Sequence, residues 1–147
     1  MQPDDFASGT VWLVGAGPGD PELLTMKAVR LIERADIVFY DALVGDGVLA
    51  LIPARTEMVS VGKRSGRHSK DQRTIDAMLV EAAAAGKRVV RLKGGDPSIF
   101  GRSTEELSAL REAGYIARIC PGITTACAAA ASAGISLTLR GVARHDS

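Results

Sequence analysis

The chain has 147 residues, a formal net charge of +1 and 46% hydrophobic residues. That is enough for one domain with a sizeable core, and too evenly charged to create a molecule-wide field drawing in nucleic acid or an anionic membrane. No apolar stretch approaches the roughly 18 residues of a membrane span, and residues 1–8, with Asp4 and Asp5, lack the basic-then-apolar layout of a signal peptide, so a cytoplasmic location is expected.

Short apolar runs alternate with helical patterns along the chain. The runs 11–14, 37–40, 58–61 and 89–92 are continuous rather than alternating, as in strands buried on both faces, and a weaker run covers 115–119. Trp12, inside the first run, reads as core. Leu24, Ala28, Leu31, Ile32 and Ala35 fall at helical spacing, as do Ile75, Met78, Leu79 and Ala82. Ser69 with Gln72, and Ser103 with Glu106, fit capping boxes at helix starts, while Gly86 and Gly114 stand where helices stop. Residues 124–132 read as a small-residue helix ended by Gly134. The expected fold is α/β, a five-stranded, mostly parallel sheet flanked by helices. Residues 1–9 form a tail, 10–134 the domain, and 135–147 the start of a linker to a second domain. Cys120 and Cys127 make no CxxC pair and no cluster at metal-ligand spacing, so both read as buried free thiols and no metal is expected.

Parallel sheets bind ligands beyond the carboxyl ends of their strands, which directs attention to the loops there. The first, Gly-Ala-Gly-Pro-Gly-Asp-Pro at 15–21, places Asp20 at the sixth position of the dinucleotide fingerprint. A carboxylate there repels a pyrophosphate, and Pro18 and Pro21 remove donors that would bind one, so a ligand without phosphates suits the loop better. Asp20 also suits a helix cap. Asp41 ends the second strand. It reads either as a structural cap or as the ribose-binding acid of a dinucleotide-dependent oxidoreductase, the rival function. The loop at 94–97, Gly-Gly-Asp-Pro, allows close main-chain approach and offers Asp96 as an acceptor, or is an ordinary tight turn. Thr124 and Thr125 supply hydroxyls after the fifth strand, one of which N-capping explains. Lys63, Arg64, Arg67, Lys70 and Arg73 place five cations within eleven positions, opposed by Asp71 alone. They read as a solvated loop or as a grip for a multiply carboxylated substrate, and are too poor in aromatics for a nucleic-acid platform.

The segments VGAGPGDPELLT at 14–25, YDALV at 40–44, VGKRSGRHSKDQ at 61–72, RLKGGDP at 91–97, FGR at 100–102, PGIT at 121–124 and RG at 140–141 come in register over nearly the whole chain. With them the chain resembles the tetrapyrrole methylase family, and within it the uroporphyrinogen-III C-methyltransferases, which also occur as the carboxyl-terminal part of sirohaem synthases. The resemblance implies S-adenosylmethionine as methyl donor, S-adenosylhomocysteine as product, and uroporphyrinogen III converted to precorrin-2 in sirohaem and cobalamin synthesis. It implies a donor pocket lined by Pro18, Gly94, Gly95, Asp96, Ile99, Thr124 and Thr125. Asp41 would be the proton acceptor and Lys63 the proton donor, and Arg64, Arg67, His68 and Lys70 would meet substrate carboxylates. Family members are usually homodimers whose donor cleft is completed by a second domain. The expectation is therefore that these 147 residues alone turn over weakly or not at all, or are completed by another chain.

Overall fold

In the computed structural model, residues 5–62, 71–94, 103–124 and 134 are described. The strands are β1 (Val11–Gly15), β2 (Ile37–Tyr40), β3 (Glu57–Ser60), β4 (Val89–Lys93) and β5 (Ala117–Cys120), and the helices α1 (Met26–Arg34), α2 (Asp46–Leu49), α3 (Gln72–Ala84) and α4 (Thr104–Glu112). They build one five-stranded sheet in the order β3-β2-β4-β1-β5, and every pair is parallel. Parallel neighbours need crossovers, and the intervening helices supply them on both faces.

One face is closed by α1, α2 and their flanks. There Val14, Val38, Val90 and Leu92 pack with Ala28, Leu31, Ile32, Val48 and Trp12. On the other face Leu13, Phe39 and Val89 pack with Ile75, Leu79, Ala82 and Leu110 of α3 and α4. Thr25 starts α1 by accepting from the Ala28 N–H, and Gly86 (φ +82°) and Gly114 (φ +91°) turn the chain out of α3 and α4.

The differences from the sequence reading have local causes. The edge strand β3 lies one residue earlier than the apolar run at 58–61, and β5 begins two residues later than the run at 115–119. Edge strands are buried less completely, so their apolar pattern marks their ends poorly: β3 is largely exposed along its length. Helix α2 is a single turn, too short for a periodic pattern. Helix α3 is capped by Asp71, whose carboxylate accepts from the Thr74 N–H; Ser69 lies outside the described residues. At α4, Ser103 makes no side-chain capping bond, its φ of −98° and ψ of −2° being helical rather than the extended geometry of an N-cap, and Glu106 is drawn inward to cations on β4. In the segment read as a tail, Phe6 is fully buried in the core and its carbonyl accepts from the Arg88 Nε–H. Trp12 is core as expected, and Cys120 is buried and forms no disulfide among the described residues. Among the described residues no helix is long and apolar enough to cross a membrane.

Candidate functional site

The register sets the carboxyl ends of the strands level. Tyr40 pairs with both Leu92 and Ser60, Val14 with Leu92 and Cys120, and Gly15 with Lys93. The loops that follow therefore leave the sheet along one edge.

At that edge the loops touch, main chain against main chain. The Ala16 N–H donates to the Lys93 carbonyl at 2.7 Å, tying the first loop to the start of the loop after β4. Gly17 has φ +67°, and a Cβ there would come within 3.9 Å of the Ile123 carbonyl in the loop after β5. A Cβ on Gly45 would lie 2.8 Å from the Gly19 Cα, joining the first loop to the one after β2. Gly94 abuts that same loop, for its Cβ would meet the Leu43 Cβ at 3.1 Å. Pro18 thus stands exposed between two glycines that contact the loops after β5 and β2, with half-buried Gly94 and Thr124 at the same edge. Gly95, Asp96, Ile99 and Thr125 lie outside the described residues, as do Lys63, Arg64, Arg67, His68 and Lys70.

Asp41 follows β2 on this edge. Its Oδ1 accepts from the Leu43 N–H at 3.0 Å and its Oδ2 faces the Arg91 Nη1 at 3.4 Å. It is neither free nor fully buried: 23% of its side-chain surface is exposed.

Arg91 has no role in the reading of the sequence. It sits mid-sheet on β4, paired between Phe39 and Leu13 and 4% exposed. A guanidinium there loses its water and needs an anion, which Glu106 of α4 provides. The Glu106 side chain is fully buried; Oε2 accepts from the Arg91 Nε at 3.2 Å and the Gln72 Nε2 at 3.2 Å, and Oε1 from the Lys93 Nζ at 2.8 Å. Burial pushes its carboxyl up, but the charge of Arg91, the bond and charge of Lys93 and the Gln72 bond together outweigh this and hold it below the ordinary range. Gln72 also donates to Asp76 of α3 at 2.8 Å. Two cations and two carboxylates, Arg91, Lys93, Asp41 and Glu106, thus run from the core to the edge. Sequence reading missed the cluster by taking Glu106 for a cap. The available signal was an Arg in the middle of a continuous apolar strand.

The first loop does not build a dinucleotide grip. Asp20 accepts from the Glu22 N–H and starts only a short 3-10 turn, Pro21–Leu23; the first long helix begins later, at Met26. No long helix start, with its free N–H groups, is aimed from the glycine turn at a pyrophosphate. Among the described residues no group of three or more His, Cys, Asp or Glu is placed to hold a metal ion. A cavity of about 530 Å³ lies on α3 and α4, and among the described residues its lining is Asp76, Ala77, Val80, Glu81 and Ala109.

The architecture is that of a parallel α/β domain whose glycine turns meet along one edge of the sheet. Residues 10–145 match the family of tetrapyrrole (corrin/porphyrin) methylases, and the chain belongs to that family. It is 53% identical over 143 residues to a sirohaem synthase of Psychrobacter sp. (strain PRwf-1), covering 97% of this chain and 29% of that protein. A solved uroporphyrin-III C-methyltransferase of Thermus thermophilus superposes with a TM-score of 0.81 at 48% identity, over 92% of this chain and 57% of that one. A structure of the Thermus enzyme complexed with S-adenosylhomocysteine superposes with a TM-score of 0.76 at 47% identity, again over 92% of this chain and 56% of that one. The chain therefore spans less than a third of that sirohaem synthase and little more than half of the solved enzymes.

Proposed function

We propose that this chain carries the donor-binding edge and the proton-accepting carboxylate of an S-adenosylmethionine-dependent C-methyltransferase acting on uroporphyrinogen III to give precorrin-2. The observation that carries the reading is the convergence of the loops after β1, β2, β4 and β5 on one edge beside Asp41. The likeness to a Thermus enzyme complexed with S-adenosylhomocysteine supports it.

The residues present fit such a donor. A sulfonium cation brings no phosphate, so the prolines of the first loop and its acidic Asp20 are compatible neighbours. The close-packed glycines leave main chain, rather than side chain, exposed to the ligand. Pro18, Gly94 and Thr124 would line the donor pocket, with Gly95, Asp96, Ile99 and Thr125 contributing from the same loops. When bound, the donor supplies an electrophilic methyl group whose leaving group is a neutral thioether.

The protein's part is then to hold an electron-rich ring carbon in line with that methyl group, which makes positioning a large share of the rate enhancement. The new C–C bond leaves the macrocycle with a proton to lose, and Asp41 would accept it at its exposed carboxylate. Lys63 would return a proton elsewhere on the ring. Arg64, Arg67, His68 and Lys70 would oppose the substrate carboxylates. Relatives carry much additional chain, so residues 1–147 by themselves are expected to bind donor but turn over slowly or not at all. Two copies of the enzyme would assemble as a homodimer.

The test has two parts. S-adenosylhomocysteine at a hundredfold excess over Kd stabilises a binding-competent fold by about 2.7 kcal/mol, so the 147-residue chain should melt several degrees higher with it and unchanged with NAD. The reverse pattern would return the chain to the dinucleotide reading. When the chain is supplied with the remaining part of a relative and assayed with uroporphyrinogen III and labelled donor, Asp41→Asn should abolish methyl transfer while donor binding persists.

A further inference from the structure

We propose that Glu106 is a positioning residue for Asp41 and acts through Arg91. It takes the Nε edge of the guanidinium and balances its charge, so that a single N–H, on Nη1, reaches the Asp41 carboxylate. The inference rests on the reading of Asp41 as the proton acceptor and extends it inward to a group that touches no substrate.

The geometry divides the guanidinium between three acceptors. Nε donates to Glu106 at 3.2 Å, while Nη1 donates to the Leu92 carbonyl at 3.0 Å and reaches Asp41 at the longer distance of 3.4 Å. The firm bonds are therefore the inner ones. Glu106 is itself fixed on both oxygens, by Lys93 and by Gln72. With the Leu43 N–H holding Oδ1, Asp41 is oriented at two points yet keeps part of its surface open at the site edge.

The balance of charge explains why a buried carboxylate is needed. Arg91 alone, desolvated beside Asp41, would close on it as a tight ion pair and make a poor base of it. Glu106 offsets that cation and Lys93 tempers Glu106. Among the described residues, the ionisable side chains of this network are Arg91 and Lys93 on β4, Glu106 on α4, and Asp76 on α3, which reaches it through Gln72.

The test is to follow the Asp41 side-chain carboxyl carbon by NMR through an acid-to-neutral pH series in the 147-residue chain. In Glu106→Gln the Asp41 midpoint should fall by about one pH unit, the size expected when a nearby cation loses its counter-charge. In an Arg91→Met background the same substitution should produce less than about half that response, since coupling through a shared partner disappears with the partner. A folded Glu106→Gln chain with an unmoved midpoint overturns the proposal, as does a full response without Arg91. Should Glu106→Gln fail to fold, Lys93→Met tests the opposite sign: Glu106 is freed to hold Arg91 more fully and the Asp41 midpoint should rise, and a fall or no change overturns the proposal. In a preparation that turns over, the acid limb of the kcat profile should move with the Asp41 midpoint while KM for the donor stays fixed. A midpoint that moves under an unmoved kcat profile would instead reject Asp41 as the proton acceptor, separating that failure from failure of the positioning.

Discussion

Strand β4 shows both faces of the sheet in one segment. Toward α1 and α2 it sends Val90 and Leu92 into a cluster made wholly of apolar side chains with Cys120. Toward α3 and α4 it sends Val89 into a second apolar cluster, and then Arg91 and Lys93 into bonds with a buried glutamate. The side chains that β4 sends to the first face are hydrocarbon, whereas those it sends to the second change from hydrocarbon to paired charge as the strand nears the loop edge. The difference separates two jobs. Apolar burial holds the sheet together without directing any group, while a desolvated ion network fixes orientations and makes the fold sensitive to the loss of any one member.

That contrast can be broken most sharply at Glu106. Glu106→Ala should destabilise the chain by about 3–5 kcal/mol, the range for stranding a buried charge, measured by urea unfolding at neutral pH. The acid dependence sharpens the point. Glu106 titrates lower in the folded chain than its ordinary value of 4.5, so its stabilisation is complete above that value and is lost as pH falls through the lower, folded one. The unfolding free energy of the wild type should drop across that acid window, and Glu106→Gln should flatten this part of the drop. A hydrocarbon change on the other face, Leu92→Ala, should cost about 2–5 kcal/mol with no acid component, read by the same unfolding series. At the edge, Gly45→Ala drives a Cβ to 2.8 Å from Gly19. A loss of about 1–3 kcal/mol, typical of overpacking, should accompany weakened S-adenosylhomocysteine binding in a titration. The smallest effect is expected at Thr25→Ala, about 1 kcal/mol for the lost cap of α1, visible as a small fall in melting temperature with donor binding kept.

The elements that sequence alone revealed are those with the plainest physical signature. The apolar runs that became β1, β2 and β4 are continuous because both faces of these strands are buried, and their starts fall where the runs start. The edge strands β3 and β5 were displaced because part of each meets solvent. The order β3-β2-β4-β1-β5 leaves no local trace, since parallel pairing joins residues far apart in the chain. The placement of Asp41, Pro18, Gly94 and Thr124 just beyond strand ends was legible, and such strand ends are where a parallel sheet presents ligands. Glu106 was not, because the spacing Ser103 to Glu106 satisfies a local capping rule and only the tertiary fold reveals that two cations compete for the same carboxylate. Local propensity lost to the pairing of a desolvated guanidinium with a buried carboxylate.

The contact between Gly19 and Gly45 has a consequence for how substitutions should be distributed. Both residues are only half-buried, and solvent exposure ordinarily signals tolerance to change. At Gly45 the space that a Cβ would need is already filled by peptide from the opposing turn, while at Gly19 the constraint is the backbone itself, whose φ of +119° L side chains rarely adopt. A deep mutational scan should therefore find these positions as intolerant as the hydrophobic interior, and variants at Gly45 should be rescued by retuning the first turn rather than by trimming any neighbouring side chain.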